Sequence, residues 1–181
     1  MFAKPILKSY ENKYTGYLDV YPTSLAMSVL SGEGGLYVND HVSLGLSGKL
    51  GGFDDRDSSQ YLRTSLLGVT FRAYKNEIHQ PGFYIGGELY SSNTVGGRGD
   101  ESMQVEVIAL RPSVGYQLIQ QKTIKQSLAF GMDIHQMETT YNGEADEARM
   151  RNYIYEKTYT TRPQNYTGFR PAVEYRLGLL F

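Results

Sequence analysis

From Val42 onward the chain alternates with a period of two. Val42, Leu44, Leu46, Gly48 and Leu50 take one parity, and Ser43, Gly45, Ser47 and Lys49 take the other. A β-strand sends successive side chains to opposite faces, so such a segment makes a ribbon with one apolar and one polar face. The alternation returns over residues 63–73, 83–90, 107–118, 124–135 and 169–181, and no segment carries a 3.6-residue apolar stripe of helical length. The chain reads as all-β.

Composition narrows the functions such a chain can serve. A length of 181 residues suits a single domain. Lys and Arg number 18 against 19 Asp and Glu, a near balance that argues against nucleic acid, whose binders carry a basic stripe. With no Cys, the chain has no disulfide framework, thiolate zinc site, iron–sulfur cluster or Cys nucleophile. No cofactor is expected. A transmembrane helix is excluded, since no run of 18 or more apolar residues exists. A membrane strand is not, because its signal is alternation. The first twenty residues lack the apolar core and small-residue cleavage site of a signal peptide, so an exported protein would be represented here by its mature chain.

The connections differ in length. Asn39-Asp40, Lys75 to Gly82 with its Pro81-Gly82, and Gln120 to Thr123 are short or moderate, whereas Asp54 to Gln60, Ser91 to Ser102 and Asn142 to about Asn165 are longer and polar. Short and long connections fall on opposite ends of the sheet, as in bacterial outer-membrane barrels with short periplasmic turns and long extracellular loops. Seven strands follow, at roughly 28–38, 41–52, 61–74, 83–91, 104–118, 124–138 and 168–181. Tyr14 to Pro22 is the candidate for an eighth, although Thr23 to Met27 has no clear turn signature. The expectation is an eight-stranded antiparallel transmembrane β-barrel in one domain, 1–181. Residues 1–13 form a periplasmic N-terminal segment, and 142–165 a long extracellular loop or β-extension.

Parity separates the two faces. The set containing Phe181 includes Leu179, Leu177, Tyr175, Val173, Pro171 and Phe169, then Ile134, Met132, Phe130 and Leu128, and Leu118 back to Ile108, with equivalents on the earlier strands, and holds no formal charge. The opposite set holds Asp19, Glu33, Lys49, Arg72, Glu88, Arg111, Lys125, Asp133, His135, Arg170, Glu174 and Arg176, interspersed with Ser and Gly. A soluble lipocalin-like barrel would turn the apolar face inward. Three features favour the reverse. A charge on a lipid face costs about 2–4 kcal/mol at the midplane, so hydrocarbon selects an uncharged face. Phe71, Phe83, Tyr116 and Phe181 cluster near the short-turn end, where an aromatic girdle belongs. The chain also lacks the Trp and flanking helix of a lipocalin. Pro112 and Pro171 fall inside strands, where Pro breaks a ladder; Pro171 is placed near the outer rim and Pro112 at a local bulge.

The closing residues Tyr175-Arg176-Leu177-Gly178-Leu179-Leu180-Phe181 resemble the terminal strand of bacterial outer-membrane β-barrels. The segment Gly34 to Leu46, and Arg111-Pro112-Ser113-Val114-Gly115-Tyr116-Gln117 before its short turn, are similar to hairpins of small OmpX-type or OmpW-type barrels. The resemblance implies an outer-membrane location, contact with lipid and lipopolysaccharide, and an assembly signal at Tyr175, Leu177, Leu179 and Phe181 that the barrel-assembly machinery reads during insertion.

An eight-stranded barrel has an interior just wide enough for side chains. Near-equal numbers of enclosed cations and anions then suit an ion-pair network that shuts the lumen, drawn from Glu33, Lys49, Arg72, Glu88, Arg111, Lys125, Asp133, Arg170, Glu174 and Arg176. A narrow pore is the rival. Candidate chemistry is thin. Asp133, His135, Ser127 and Ser113 share a parity, but Ser127 and Asp133 lie roughly 20 Å apart along a strand, too far for one triad. Lipid A deacylases place a His and Ser outside; His41 and His135 have inward parity here and His79 sits in a turn. Arg98-Gly99-Asp100 is an integrin-type tripeptide, Asp54, Asp55 and Asp57 form an acidic loop suited to a divalent cation or a solvated tip, and Asn165-Tyr166-Thr167 matches a glycosylation pattern without meaning in that membrane. In the 142–165 loop, Tyr153, Tyr155 and Tyr159 among mixed charges suit contact with another outer-membrane protein. The function read from the sequence is non-enzymatic: a structural or accessory subunit presenting outer loops to a partner or to lipopolysaccharide. The alternatives are a lipid A-modifying enzyme and a soluble ligand-binding barrel.

Overall fold

A computed structural model describes residues 14–25, 28–55, 60–98, 101–120, 123–142 and 165–181. Within them the alternating segments form β1 (Gly16–Val20), β2 (Val29–Asn39), β3 (Val42–Asp55), β4 (Gln60–Tyr74), β5 (Gly82–Arg98), β6 (Glu101–Gln120), β7 (Ile124–Asn142) and β8 (Asn165–Leu180). A single-turn helix, α1 (Pro22–Leu25), follows β1. Each strand pairs antiparallel with the next, and β1 pairs with β8, so the sheet closes into an eight-stranded barrel in sequence order. The segments expected at 1–13 and at 143–164, with Tyr153, Tyr155 and Tyr159, lie outside the described residues.

The ladders fix the stagger. From Leu18 the register runs through Gly34, Leu46, Val69, Leu89, Leu110 and Ile134 to Phe169, whereas the direct partner of Leu18 on β8 is Leu179, ten residues further along that strand. That offset gives strands tilted by roughly 40°. Phe181 completes the closure: its carbonyl accepts from the N–H groups of Thr15 and Gly16 at 2.7 and 2.9 Å, and its own N–H donates to Gly16 O.

The uncharged parity points out. Leu67 is 68 % exposed, Phe169 70 %, while Asp19, Ser43 and Asp133 on the other parity are 0 % exposed. The arrangement with leucines gathered inside, which a soluble ligand carrier would need, is not the one adopted. Phe83 and Tyr116, outward at the short-turn end, meet edge to face at 4.9 Å.

Four expectations are corrected. Residues 91–102 are not a long loop: β5 runs to Arg98 and β6 starts at Glu101, paired throughout. Asn and Gly are poor strand formers, but the neighbouring ladder supplies hydrogen bonds regardless of side chain. The first strand spans only five residues, and the unsigned turn after it is α1. Pro112 makes no bulge; the β6–β7 pairing lapses at Arg111 and Pro112 and resumes at Ser113 in unchanged register, while the irregularity falls at Tyr37 and Asn39 beside the first turn. His41 is not inward; it sits exposed in that turn, its ring 3.3 Å from Tyr74 O.

Pro171 has a clearer account. Leu180 N–H reaches Thr123 O on the β7 side and Phe181 N–H reaches Gly16 O on the β1 side, so odd-numbered residues of β8 point their N–H toward β1. β1 pairs with β8 only over Leu177–Leu180, and α1 takes up the space beyond. The N–H that Pro171 lacks therefore faces a side with no paired strand among the described residues, where proline costs no ladder bond.

Candidate functional site

The short-turn end of the lumen is sealed by side chains. The connection between β4 and β5 tucks Ile78 under the barrel, where it packs on Tyr74, Tyr84 and Ala129. Gln117 on β6 holds it there, donating from Nε2 to the carbonyls of Ile78 and Gln80 at 2.9 and 3.0 Å. Above this floor the enclosed charges fall into two layers.

The lower layer centres on Arg72 of β4. Its guanidinium pairs with Asp19 at 3.3 Å and with Glu33, and lies over the Tyr17 ring, 5.1 Å from its centroid. Glu33 also accepts from Tyr17 OH at 2.6 Å, Tyr21 OH at 2.9 Å and Thr70 Oγ1 at 2.7 Å. Lys125 Nζ approaches Asp19 Oδ2 to 2.8 Å and sits 3.9 Å from the Tyr17 centroid. Asp19 and Lys125 come together because Gly178, the β8 residue in register with both, has no side chain; a Cβ there would run into Asp19 Oδ1.

The upper layer centres on Arg111 of β6. Its Nε and Nη2 clamp Asp133 at 2.5 and 3.1 Å, and its Nη1 reaches Glu88 at 2.9 Å and Glu174. Arg170 donates to Asp133 Oδ2 from Nε at 3.0 Å and Nη2 at 2.6 Å; Arg176 pairs with Glu174 and donates to Tyr84 OH at 3.2 Å. Tyr90 lies beneath Arg111, 4.9 Å from ring centroid to guanidinium carbon. Carboxylates and guanidiniums withdrawn from water need this density of partners, since an unpaired charge here would be costly.

Lys49 of β3 stands apart. Its Nζ rests over the Tyr21 ring at 5.7 Å, and among the described residues no carboxylate lies within ion-pair distance of it. The ten charged residues singled out from the sequence all sit on the inward parity; the network joins nine of them, with Asp19 added, and leaves Lys49 outside its contacts.

The sequence gives no explicit notice of the tyrosines. Tyr17, Tyr21, Tyr74, Tyr84 and Tyr90 are buried in the lumen and wedge the guanidiniums apart. Their parity was the available signal: tyrosine on a charged, enclosed face brings a hydroxyl for a carboxylate and a ring for a cation.

Among the described residues, the catalytic groupings weighed from the sequence do not come together. Both oxygens of Asp133 are held by arginines, and the His135 ring packs instead against Tyr166, centroids 5.9 Å apart. His79 is exposed, 2.9 Å from Glu77. Asp54 and Asp55 are exposed at the end of β3, while Asp57 lies outside the described residues, as do Gly99 and Asp100. The Asn165-Tyr166-Thr167 triplet opens strand β8 rather than occupying a loop. Tyr175, Leu177, Leu179 and Phe181 all face outward, 37–62 % exposed.

No protein-family model matches the chain, and a search of curated proteins returns no match.

Proposed function

We propose that this chain is a bacterial outer-membrane β-barrel with a closed, salt-bridged lumen and no enzymatic chemistry, serving as a structural or accessory subunit. The observation that carries the reading is the outward band. On β7 it runs uncharged from Ile124 to Ile134, and on β6 from Ile108 to Leu118, with Leu, Ile, Val, Phe and Met exposed all around the barrel. Eleven strand residues tilted by about 40° span roughly 25 Å of height, the thickness of an outer-membrane apolar band. In water such a surface is an aggregation hazard far beyond the patches soluble monomers carry. In hydrocarbon it is the low-energy state, and pairing of β1 with β8 closes the sheet, with α1 beside the upper part of β8. Aromatic Phe83, Tyr116 and Phe181 near one rim support the same assignment.

With the interior filled by paired charges, recognition falls to the long-connection end, which faces the cell exterior in this reading and meets lipopolysaccharide or a partner outer-membrane protein. Fractionation tests location: the chain should sediment with outer membranes and require detergent to stay dispersed. A folded, monodisperse species in plain buffer would overturn the membrane assignment. Purification in mild detergent with identification of co-migrating proteins tests the accessory role, and unchanged lipid A masses with and without the chain are expected if it carries no lipid-modifying activity.

A further inference from the structure

We propose that Lys49 marks an anion site in the upper lumen that takes a phosphate-type oxyanion. Among the described residues the upper layer contains four cations, Lys49, Arg111, Arg170 and Arg176, against three carboxylates, Glu88, Asp133 and Glu174. All six carboxylate oxygens are already claimed by other donors. Ser47 Oγ and Arg111 hold Glu88; Arg111 and Arg170 hold Asp133; Arg111 and Arg176 hold Glu174. The lower layer balances within itself, Arg72 and Lys125 against Asp19 and Glu33. Among the described residues one positive charge is therefore left over, and Lys49 is the cation of this layer with no carboxylate at ion-pair distance. An ammonium partly withdrawn from water and without a counter-charge is unfavourable, and an anion recruited from outside removes that cost.

The surroundings suit an oxyanion. Lys49 is in register with Ser31 on β2 and, through Leu66, with Ser92 on β5. The next inward row toward the long-connection end places Thr64 beside Thr94, their hydroxyls 3.1 Å apart. An ammonium with hydroxyl side chains in the neighbouring inward positions can supply the charge-assisted hydrogen bonds that phosphate oxygens accept. The layer is open from that end: the Arg170 side chain is 40 % exposed and Lys49 itself is only partly buried. The source of the oxyanion is either free phosphate or a phosphomonoester lipid headgroup. The inference depends on the lumen alone, and holds whatever solvent meets the outer face.

The test uses the full chain in maltoside micelles, which contain no phosphate, with the ³¹P line width of inorganic phosphate as readout. Wild-type protein should broaden the line; Lys49→Gln should weaken the binding by at least about tenfold, and Lys49→Arg, which keeps the charge, should retain it. No broadening, or equal broadening by wild type and Lys49→Gln, overturns the proposal. A second arm reconstitutes wild type in phosphatidylcholine vesicles with and without phosphatidic acid. Loss of phosphate binding when phosphatidic acid is present identifies the headgroup as occupant; binding that persists identifies the free anion. Because the micelle arm reports on Lys49 whether or not the chain proves to reside in an outer membrane, its failure and failure of the membrane assignment are separate results.

Discussion

Asp133 is the residue on which most of the upper layer turns. It is wholly buried and takes bonds from both Arg111 and Arg170. Asp133→Ala leaves two guanidiniums short of their counter-charge, and breaking a buried pair by removing one partner costs about 3–5 kcal/mol. Urea unfolding in detergent should record that loss; a change under about 1 kcal/mol would show that the network contributes little. Small residues matter as much as charges inside so narrow a barrel. Gly115 lies against the Tyr84 ring and Gly178 against Asp19. Gly115→Val should destabilise by about 1–3 kcal/mol through overpacking, whereas Gly87→Val, outward with open space around its Cβ, should change stability little. Unfolding midpoints of the two variants distinguish them.

At the scale of single strands, the two prolines separate ladder from edge. Pro171→Ala restores an N–H that faces no paired strand among the described residues, so the expected change in unfolding free energy is within about 0.5 kcal/mol. A larger gain would mean that a backbone acceptor does stand on that side. The outward band makes a second strand-level prediction. Val114→Arg places a charge in the middle of β6's uncharged stretch and should cost about 2–4 kcal/mol in a bilayer, while Gln104→Arg, on the same face beyond the band, should cost about 0–1. Equal effects at both positions would argue against a hydrocarbon surround.

For the whole molecule, the proposed plug rests on the stacked ion-pair layers and the Ile78 floor. Planar bilayers containing the purified chain should show no steady discrete openings, and a stable conductance would contradict the plug. The wall is also uneven. β1 covers only the short-turn part of β8, and α1 stands in for a strand above it, with Tyr21 N–H bonded to Ser31 O and Ser24 Oγ 2.8 Å from Ser31 Oγ. That asymmetry was illegible in the sequence because Thr23 to Met27 carries neither a turn signature nor a helical repeat. The extension of β5 and β6 was illegible for a related reason: Ser91, Ser92, Asn93 and Thr94 are strand residues only because β4 and β6 lie on either side to pair with them.

Alternation by itself determined that the chain is all-β, which residues share a face, and that charges and large aliphatic groups occupy opposite faces, because strand geometry ties side-chain direction to parity in the local chain. Only the tertiary structure decided which charges meet, where the strands stop, and that Lys49 is left without a carboxylate. Those outcomes depend on the ten-residue stagger of the closed barrel, which brings β1 to β4 in the lower layer and β6 to β8 in the upper one, and no local pattern specifies that offset.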